Sequence, residues 1–346
     1  MSNPTIPEIS LTSKNCPDPL YWGIPISFKE RFHPLGTTIQ VESNDPSILE
    51  EATRSFGRYG PPPPFSKPRI VLQLCVDPEF HDAGSWPVPQ YRSLQHLFHI
   101  HCGEANFAIA DLSLEKAIGF VSQEMARSGS FFRRTFLECL FHVLVVRLSH
   151  TPIHCSCVAL NNNGILICGV SGAGKTTLAY ACAKSGMQVV SDDVVHLQPD
   201  WVGDTITLWG NPWELRLLPE ASKLFPGMAA GVAPHQTHLE INITKDFPGA
   251  DRVSCRPYAI VFLERCSGEK VECVPLKPEV ALERLKKDIV LDEEKVLERH
   301  YSTLSRLVRI GAYSLIYSGH PSLAVTALRR LLPGDTGVNS LYDSLI

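Results

Sequence analysis

One short stretch of the sequence carries the residue types needed to hold a chain of phosphate groups. Residues 169–176, GVSGAGKT, match the pattern G-x-x-x-x-G-K-[ST] at every fixed position, which predicts a site for ATP and Mg²⁺. The glycines allow backbone N–H groups to converge on anionic oxygens, and a helix that begins near Lys175 directs its N-terminal dipole at the same point. Lys175 is expected to reach the β- and γ-phosphates, and the Thr176 hydroxyl is expected to bind Mg²⁺. The predicted nucleotide-binding residues of this loop are Gly169, Ser171, Gly172, Ala173, Gly174, Lys175, Thr176 and Thr177.

Two adjacent carboxylates follow the next predicted strand, at residues 187–190. A phosphate-binding loop needs an acidic residue near its Mg²⁺ ion, at the end of a neighbouring strand, and Asp192 and Asp193 stand in that position. One carboxylate could accept the proton of an attacking hydroxyl while the other steers the metal or supports its surroundings. The same pair could instead cap a helix or a turn. Its position after the loop and its helix favours the functional interpretation.

The sequence around these residues resembles a known family of kinases. Residues 164–195, GILICGVSGAGKTTLAYACAKSGMQVVSDDVV, are similar to the C-terminal catalytic domain of the bacterial HPr kinase/phosphorylase. They are still more similar to the broader HPr-kinase-like proteins, which include kinases that modify peptide precursors. His154 matches a histidine that this family has on the strand before the loop, and Glu214-Leu215-Arg216 matches its Glu-x-Arg motif. The resemblance is strong over residues 150–220.

The resemblance implies a role for each matching residue. Asp192 is implied to be the general base, with Asp193 supporting it, and His154 is implied to line the phosphoryl-transfer site. Arg216 lies in the matched motif and could clamp a phosphate group. The predicted catalytic residues are Asp192, Asp193, His154 and Lys175. The predicted metal ligands are Thr176, Asp193 and Glu214.

The sequence also departs from the family pattern. Thr176-Thr177 stand where the bifunctional enzymes carry Ser-Glu or a close variant, and Leu217-Leu218-Pro219 replace a glycine that usually follows the Glu-x-Arg motif. The C-terminal segment that those enzymes use for phosphorylase action and for gripping the carrier protein has no counterpart here. The resemblance therefore implies kinase chemistry and gives little support to phosphorylase activity or to HPr as the substrate.

The patterns along the chain predict an α/β fold in two units. Residues 151–335 are predicted to form a P-loop catalytic domain with a mixed sheet flanked by helices, including an Asn163-Gly164 hairpin turn and a helical segment at 278–307. Residues 21–150 are predicted to form a smaller α+β domain in which strands precede helices, because residues 114–128 and 131–149 carry apolar residues at helical spacing. In the second of these segments one apolar stripe is formed by Phe132, Phe136, Leu140 and Leu144. Residues 1–20 are interpreted as a loose lead-in and residues 336–346 as a tail.

Composition limits the possible partners. The chain has 346 residues, a formal net charge of −4, 44% hydrophobic residues and 20% charged residues. No surplus of positive charge is present to neutralise a nucleic acid, and no apolar run is long enough to cross a membrane, so neither is an expected partner. The 11 scattered cysteines are expected to be reduced thiols in a cytoplasmic protein. A homo-oligomer is left open.

Other groups of chemically active residues are interpreted as structural. None has the spacing of zinc ligand pairs. The histidines are expected to be partly buried; they form one group of His96, His99 and His101 with Cys102 and a second of His235 with His238. Cys155 and Cys157, on one predicted strand, are expected to lie in the core. Arg256 could clamp a phosphate group or be solvated, and Arg133 with Arg134 is expected to be a surface feature.

The leading hypothesis is an ATP- and Mg²⁺-dependent kinase that transfers the γ-phosphoryl group to a serine-like hydroxyl of a protein or peptide. A second hypothesis keeps the same chemistry and makes the acceptor a small molecule. A third is a regulatory module that binds nucleotide without transferring phosphate. The Asp192-Asp193 pair argues against the third, because binding alone needs no additional base.

Overall fold

The computed structural model describes residues 24–77, 79, 84–225, 238–266, 270–289 and 293–333. Residues 1–20 and 336–346, as well as His235, lie outside these described residues. The fold is mixed α/β, with a seven-stranded sheet, a nine-stranded sheet and a two-stranded sheet. The division into domains at residues 21–150 and 151–335 stays a prediction. Within the described residues, no helix has the length and apolar character needed to cross a membrane.

The first sheet uses strands from residues 28–121. Its strands are β1 (Phe28–Phe32), β2 (Ile39–Ser43), β3 (Ile70–Val76), β4 (Gln90–Leu94), β5 (Leu97–Cys102), β6 (Asn106–Asp111) and β7 (Lys116–Val121). Their order across the sheet is β1-β2-β3-β7-β6-β5-β4. The pairs β2–β3 and β3–β7 are parallel, and the other pairs are antiparallel. A parallel pair needs a crossover connection, which helix α1 (Pro46–Phe56) provides between β2 and β3.

Two expectations about this part of the chain were wrong. Strands do not all precede helices, because α1 lies between β2 and β3. The sequence marks the start of α1 with Asp45, whose side chain accepts the N–H of Ser47, and with Pro46 in the first turn. Residues 114–128 do not form one helix, because 116–121 are strand β7. Pairing with β3 and β6 overrides the helical spacing there, and Gly119 packs so closely that a Cβ would lie 2.7 Å from that of Ala108.

A helical segment follows the first sheet. It contains α2 (Gln123–Ala126), α3 (Ser130–Phe132), a π-helical turn (Arg133–Glu138) and α4 (Cys139–Leu148). The stripe predicted for this segment is confirmed, since its four members are buried in the core beside the first sheet; they are Phe132, Phe136, Leu140 and Leu144.

The rest of the described chain builds the two other sheets. Its strands are β8 (Thr151–His154), β9 (Ser156–Leu160), β10 (Asn163–Cys168), β11 (Gln188–Ser191), β12 (Val194–Asp200), β13 (Thr205–Trp209), β14 (Glu214–Leu217), β15 (Leu239–Asn242), β16 (Ser254–Arg265), β17 (Val271–Leu276) and β18 (Ala312–Tyr317). The main order is β11-β9-β10-β16-β13-β12-β8, and β18 pairs with both β16 and β17. The strands β10, β16 and β18 run parallel, whereas β14 and β15 form an antiparallel pair of their own. The mixed character expected for this sheet is confirmed.

The hairpin between β9 and β10 turns two residues earlier than the expected Asn163-Gly164 position. The turn residues are Asn161 and Asn162, with φ angles of 49° and 70°, which asparagine tolerates better than most residues. Asn163 and Gly164 already belong to β10. Gly164 is needed there because a Cβ would lie 2.4 Å from the sulfur of Cys255.

Helices cover both faces of the nine-stranded sheet. They are α5 (Lys175–Lys184), α6 (Ile243–Asp246), α7 (Pro278–Lys286), α8 (Glu294–Leu307) and α9 (Pro321–Arg330). The helices α5 and α9 share one apolar core, and α7 and α8 share another. The helical prediction for 278–307 is therefore correct at both ends and wrong in the middle, where the chain leaves the helix after Lys286.

Candidate active site

The glycine-rich loop lies at the carboxyl ends of three parallel strands. It follows β10 and leads into α5, and ligands of α/β sheets bind at this edge. Gly174, the residue before the helix, has a φ angle of 98°, a left-handed conformation that favours glycine. A Cβ there would lie 3.3 Å from the hydroxyl of Tyr317, at the end of β18. The loop is thus packed against the parallel strands on one side and open on the other, where Ser171 and Gly172 are exposed.

Lys175 is held in place by the loop itself. Its side chain is buried, and its Nζ donates to the carbonyl oxygen of Gly169 at 2.9 Å and to that of Val170 at 3.4 Å. A buried ammonium group is costly to desolvate unless it is hydrogen-bonded, and the curled loop supplies these acceptors. The charge is therefore fixed beside the N-terminus of α5, where an anion is favoured.

Asp192 lies between β11 and β12, and its two carboxylate oxygens differ in their hydrogen bonding. Its Oδ2 accepts the backbone N–H of Arg216 at 2.9 Å, and its carbonyl oxygen accepts the hydroxyl of Ser156 at 2.7 Å. Burial raises the pKa of the Asp192 carboxyl, and repulsion from Asp193 adds to the effect, whereas the Arg216 N–H and the nearby Thr176 hydroxyl oppose it. Its Oδ1 is buried and makes no hydrogen bond of normal geometry.

Asp193 forms a contact that the strand register creates. Strand β8 pairs antiparallel with β12, and Val194 lies opposite His154. His154 Nδ1 therefore reaches Asp193 Oδ1 at 2.9 Å, with both side chains substantially exposed. His154 is not on the strand directly before the loop, as expected, because β9 and β10 lie between them. It reaches the site through β12 instead.

Strand β14 brings the predicted Glu-x-Arg motif to the same region. Leu215 is buried, whereas Glu214 and Arg216 are exposed on the other face of the strand, as expected from the two-residue period. Glu214 Oε2 accepts from Nη2 of Arg134 at 3.3 Å, and Glu240 lies 4.0 Å from the same nitrogen. The Glu214 carboxylate thus already has a cationic partner, and its role as a metal ligand stays a prediction.

A single cleft of about 740 Å³ joins these residues. Of the predicted site residues, Gly169 and Ala173 lie outside its lining and serve as part of the loop backbone. Those that line it are Ser171, Gly172, Gly174, Lys175, Thr176, Thr177, Asp192, Asp193, His154, Glu214 and Arg216.

Part of the cleft lining comes from the first 150 residues, which the sequence did not predict. Four arginines line it, on α1, the 3-10 turn Gly57–Tyr59 and the π-helical turn; they are Arg54, Arg58, Arg133 and Arg134. Arg134 is exposed, as expected of a surface residue, whereas Arg133 is partly buried beside Glu51. No local pattern marks these residues, because their shared position depends on the packing of α1 and the π-helical turn against each other.

Asp288 is a further residue near the site that sequence reasoning missed. It follows α7, and burial raises the pKa of its carboxyl, while His154 and Lys175 are near enough to lower it. The sequence signal was weak, since Asp288 lies in a charged helical segment.

The loop and Asp192 fit a nucleotide with a divalent cation. The loop presents glycine-dependent backbone, a buried lysine and the start of a helix, which suit phosphate oxygens. The buried Oδ1 of Asp192, close to Thr176, would accept a hydrogen bond from a metal-bound water or from a hydroxyl group. Within the described ranges, no group of three or more His, Cys, Asp or Glu side chains is arranged to hold a metal ion.

Of the comparisons with known proteins, the one with solved structures gave matches. No family model matches the sequence, and no curated protein matches it. Among solved structures, it is similar to the Hpr(Ser) kinase/phosphatase from Coxiella burnetii, with a TM-score of 0.29 and 17% sequence identity. That match covers 52% of this chain and 89% of the other chain.

Proposed function

We propose that the protein is an ATP- and Mg²⁺-dependent kinase that transfers the γ-phosphoryl group to a serine-like hydroxyl. The observation that carries this proposal is the buried, unbonded Oδ1 of Asp192 in the same cleft as Lys175 and the phosphate loop. A site for binding nucleotide needs the loop and the lysine. A carboxylate oxygen without a hydrogen bond is an additional feature, and it suits a group that accepts a proton.

Each residue of the site has a separate role in the proposed in-line transfer of the phosphoryl group. Asp192 takes the proton of the acceptor hydroxyl while a new P–O bond forms and the bond to ADP breaks. The Arg216 N–H holds the other carboxylate oxygen and so orients Oδ1. Lys175 and the loop N–H groups stabilise the charge on the transferred group, which is where most of the rate gain is expected. Bound Mg²⁺ supplies further neutralisation of phosphate charge, with Thr176 and Asp193 as its proposed ligands.

The test compares two lysines of the same helix. Lys175→Ala should weaken Mg²⁺-ATP binding by about tenfold or more, because it removes a buried charged donor, and it should abolish ADP release. Lys184→Ala is the matched control: Lys184 is exposed at the other end of α5, and its replacement should change neither quantity. Titration with a fluorescent ATP analogue and a coupled ADP assay measure both. Equal affinity in wild type and Lys175→Ala would overturn the proposed nucleotide site.

A further inference from the structure

The part of the cleft that the first 150 residues line carries cations that the proposed phosphoryl transfer does not use. Arg54 and Arg133 are both paired with Glu51, which is buried. Arg134 is paired with Glu214. Arg58 is different: among the described residues it makes no ion pair or hydrogen bond, and it is exposed in the cleft.

Arg58 is nevertheless held in a defined position. Its guanidinium lies over the ring of Trp213, 5.3 Å from the ring centre. Trp213 is buried and meets the ring of Tyr59 edge-on, with ring centres 4.9 Å apart. The Tyr59 hydroxyl donates to the carbonyl oxygen of Gly210 at 3.0 Å. A guanidinium stacked on an aromatic face keeps its N–H groups at the rim of the ring free to bind carboxylate or phosphate oxygens.

A second guanidinium lies at the same end of β14. Arg134 contacts Glu214, the residue that follows Trp213. Both of its ion pairs use Nη2, and a guanidinium carries further N–H groups on Nη1 and Nε. The acidic groups near Arg58 and Arg134 have partners, since Glu138 accepts the hydroxyl of Ser55 at 2.7 Å and Glu214 is bound to Arg134. Arg58 and Arg134 therefore offer hydrogen-bond donors to an anion.

The support of Arg58 and the proposed base Asp192 lie near the same segment of backbone. Asp192 is bonded to the backbone of Arg216, three residues after Trp213 along an extended segment. Three residues of extended chain span about 10 Å. The backbone of Trp213, whose ring supports Arg58, therefore lies within about 10 Å of the backbone N–H that bonds Asp192. A cleft of about 740 Å³ is of the size that holds small ligands.

From this geometry we infer that the acceptor is a small hydroxyl compound that carries a carboxylate or phosphate group, held by Arg58 and Arg134 while its hydroxyl faces Asp192. This inference rests on the proposed kinase function and names the class of its substrate. Arg58 and Arg134 are positioning residues for the acceptor. The peptide acceptor expected from the sequence becomes an alternative that the experiment distinguishes.

The experiment measures binding with the phosphate loop occupied. Protein saturated with Mg²⁺ and a non-hydrolysable ATP analogue is titrated with glycerol 3-phosphate, glycolate, glycerol and a neutral serine peptide in a calorimeter. The two anionic compounds should bind saturably and at least tenfold more tightly than glycerol or the peptide. Arg58→Ala should weaken their binding about 10- to 100-fold, as expected for the loss of a charge-assisted hydrogen bond, and Arg58→Lys should recover part of it.

A matched control and a second variant keep the inference open to refutation. Arg309→Ala removes an exposed arginine outside the cleft and should leave binding unchanged. Arg134→Ala tests the second donor if Arg58→Ala is poorly folded. Equal binding of glycerol and glycerol 3-phosphate, preference for the peptide, or equal binding by wild type and Arg58→Ala would each overturn the inference. If the ATP analogue itself does not bind, the proposed kinase function fails instead.

Discussion

Replacing Asp192 by asparagine should separate the proposed phosphoryl transfer from the proposed nucleotide binding. The amide has the shape of the carboxyl group, and its oxygen can still accept the Arg216 N–H that now bonds Oδ2 at 2.9 Å. What is lost is the ability of Oδ1 to take a proton. Removal of a general base lowers turnover by about 10²–10⁴-fold, which corresponds to about 2.7–5.5 kcal/mol in the activation barrier. Mg²⁺-ATP affinity should stay within about threefold, because Lys175 and the loop are unchanged.

The same substitution should leave the folded state as stable as before or make it more stable. Burial raises the pKa of Asp192 above its unfolded value, so the folded protein binds this proton more tightly than the unfolded chain does. The resulting stabilisation is present at acid pH and is lost as the pH rises through the folded pKa. At neutral pH the wild type therefore carries the cost of a buried charge that asparagine removes, and one hydrogen bond of about 1 kcal/mol is preserved.

Three measurements on Asp192→Asn and a control variant test whether Asp192 is the base. They are the rate of ADP formation, the affinity for an ATP analogue, and the free energy of unfolding in urea. Asp204→Asn is the matched control, since Asp204 is exposed, pairs with Arg306, and has a φ of 49° that asparagine accepts. Turnover of Asp192→Asn above one third of the wild-type value would refute the assignment of the base. A loss of ATP affinity as large as the loss of turnover would refute the separation of roles.

Two further predictions concern positions that hold the site together. Gly210→Ala would place a Cβ 2.1 Å from the carbonyl oxygen of Val190 and 2.7 Å from the Cβ of Ser191. This overlap should lower the free energy of unfolding by about 1–3 kcal/mol. Turnover should also fall, because Ser191 precedes the proposed base. Burial lowers the pKa of His150 to about 4, so unfolding below pH 6.5 takes up a proton, and stability should fall by up to about 3 kcal/mol between pH 6.5 and 4 from this residue alone.

Each of these predictions has its own comparison. Gly57→Ala, at a position with helical φ and ψ where a Cβ would lie 3.3 Å from Cγ2 of the exposed Thr53, should destabilise the protein much less than Gly210→Ala. Equal unfolding curves for Gly210→Ala and wild type would show that the close approach is not present. His150→Asn should flatten the dependence of unfolding free energy on pH. If the slope between pH 6.5 and 4 is the same in that variant, the proton is taken up elsewhere.

The parts of the site that could be read from the sequence are those whose chemistry lies within a short segment. The glycine pattern before Lys175 predicts the loop, because backbone conformation and the start of a helix are local properties. The pair Asp192-Asp193 stands at a strand end for the same reason. The helical stripe through Phe132 and Phe136 was predictable from its period, whereas β7 was not, because its pairing with two neighbouring strands outweighs local spacing.

Tertiary structure decided which groups meet across the cleft. His154 reaches Asp193 only because β8 and β12 are in one particular register, and a shift of one residue would turn the side chain to the other face. Arg58 and Arg134 are 76 residues apart in the chain and come to the same end of β14 through packing of α1 against the π-helical turn. The sequence by itself therefore determined a glycine-rich loop before a helix and an acidic pair at a strand end. The group of arginines in the cleft, on which the proposed class of acceptor rests, depends on contacts between segments that no local pattern encodes.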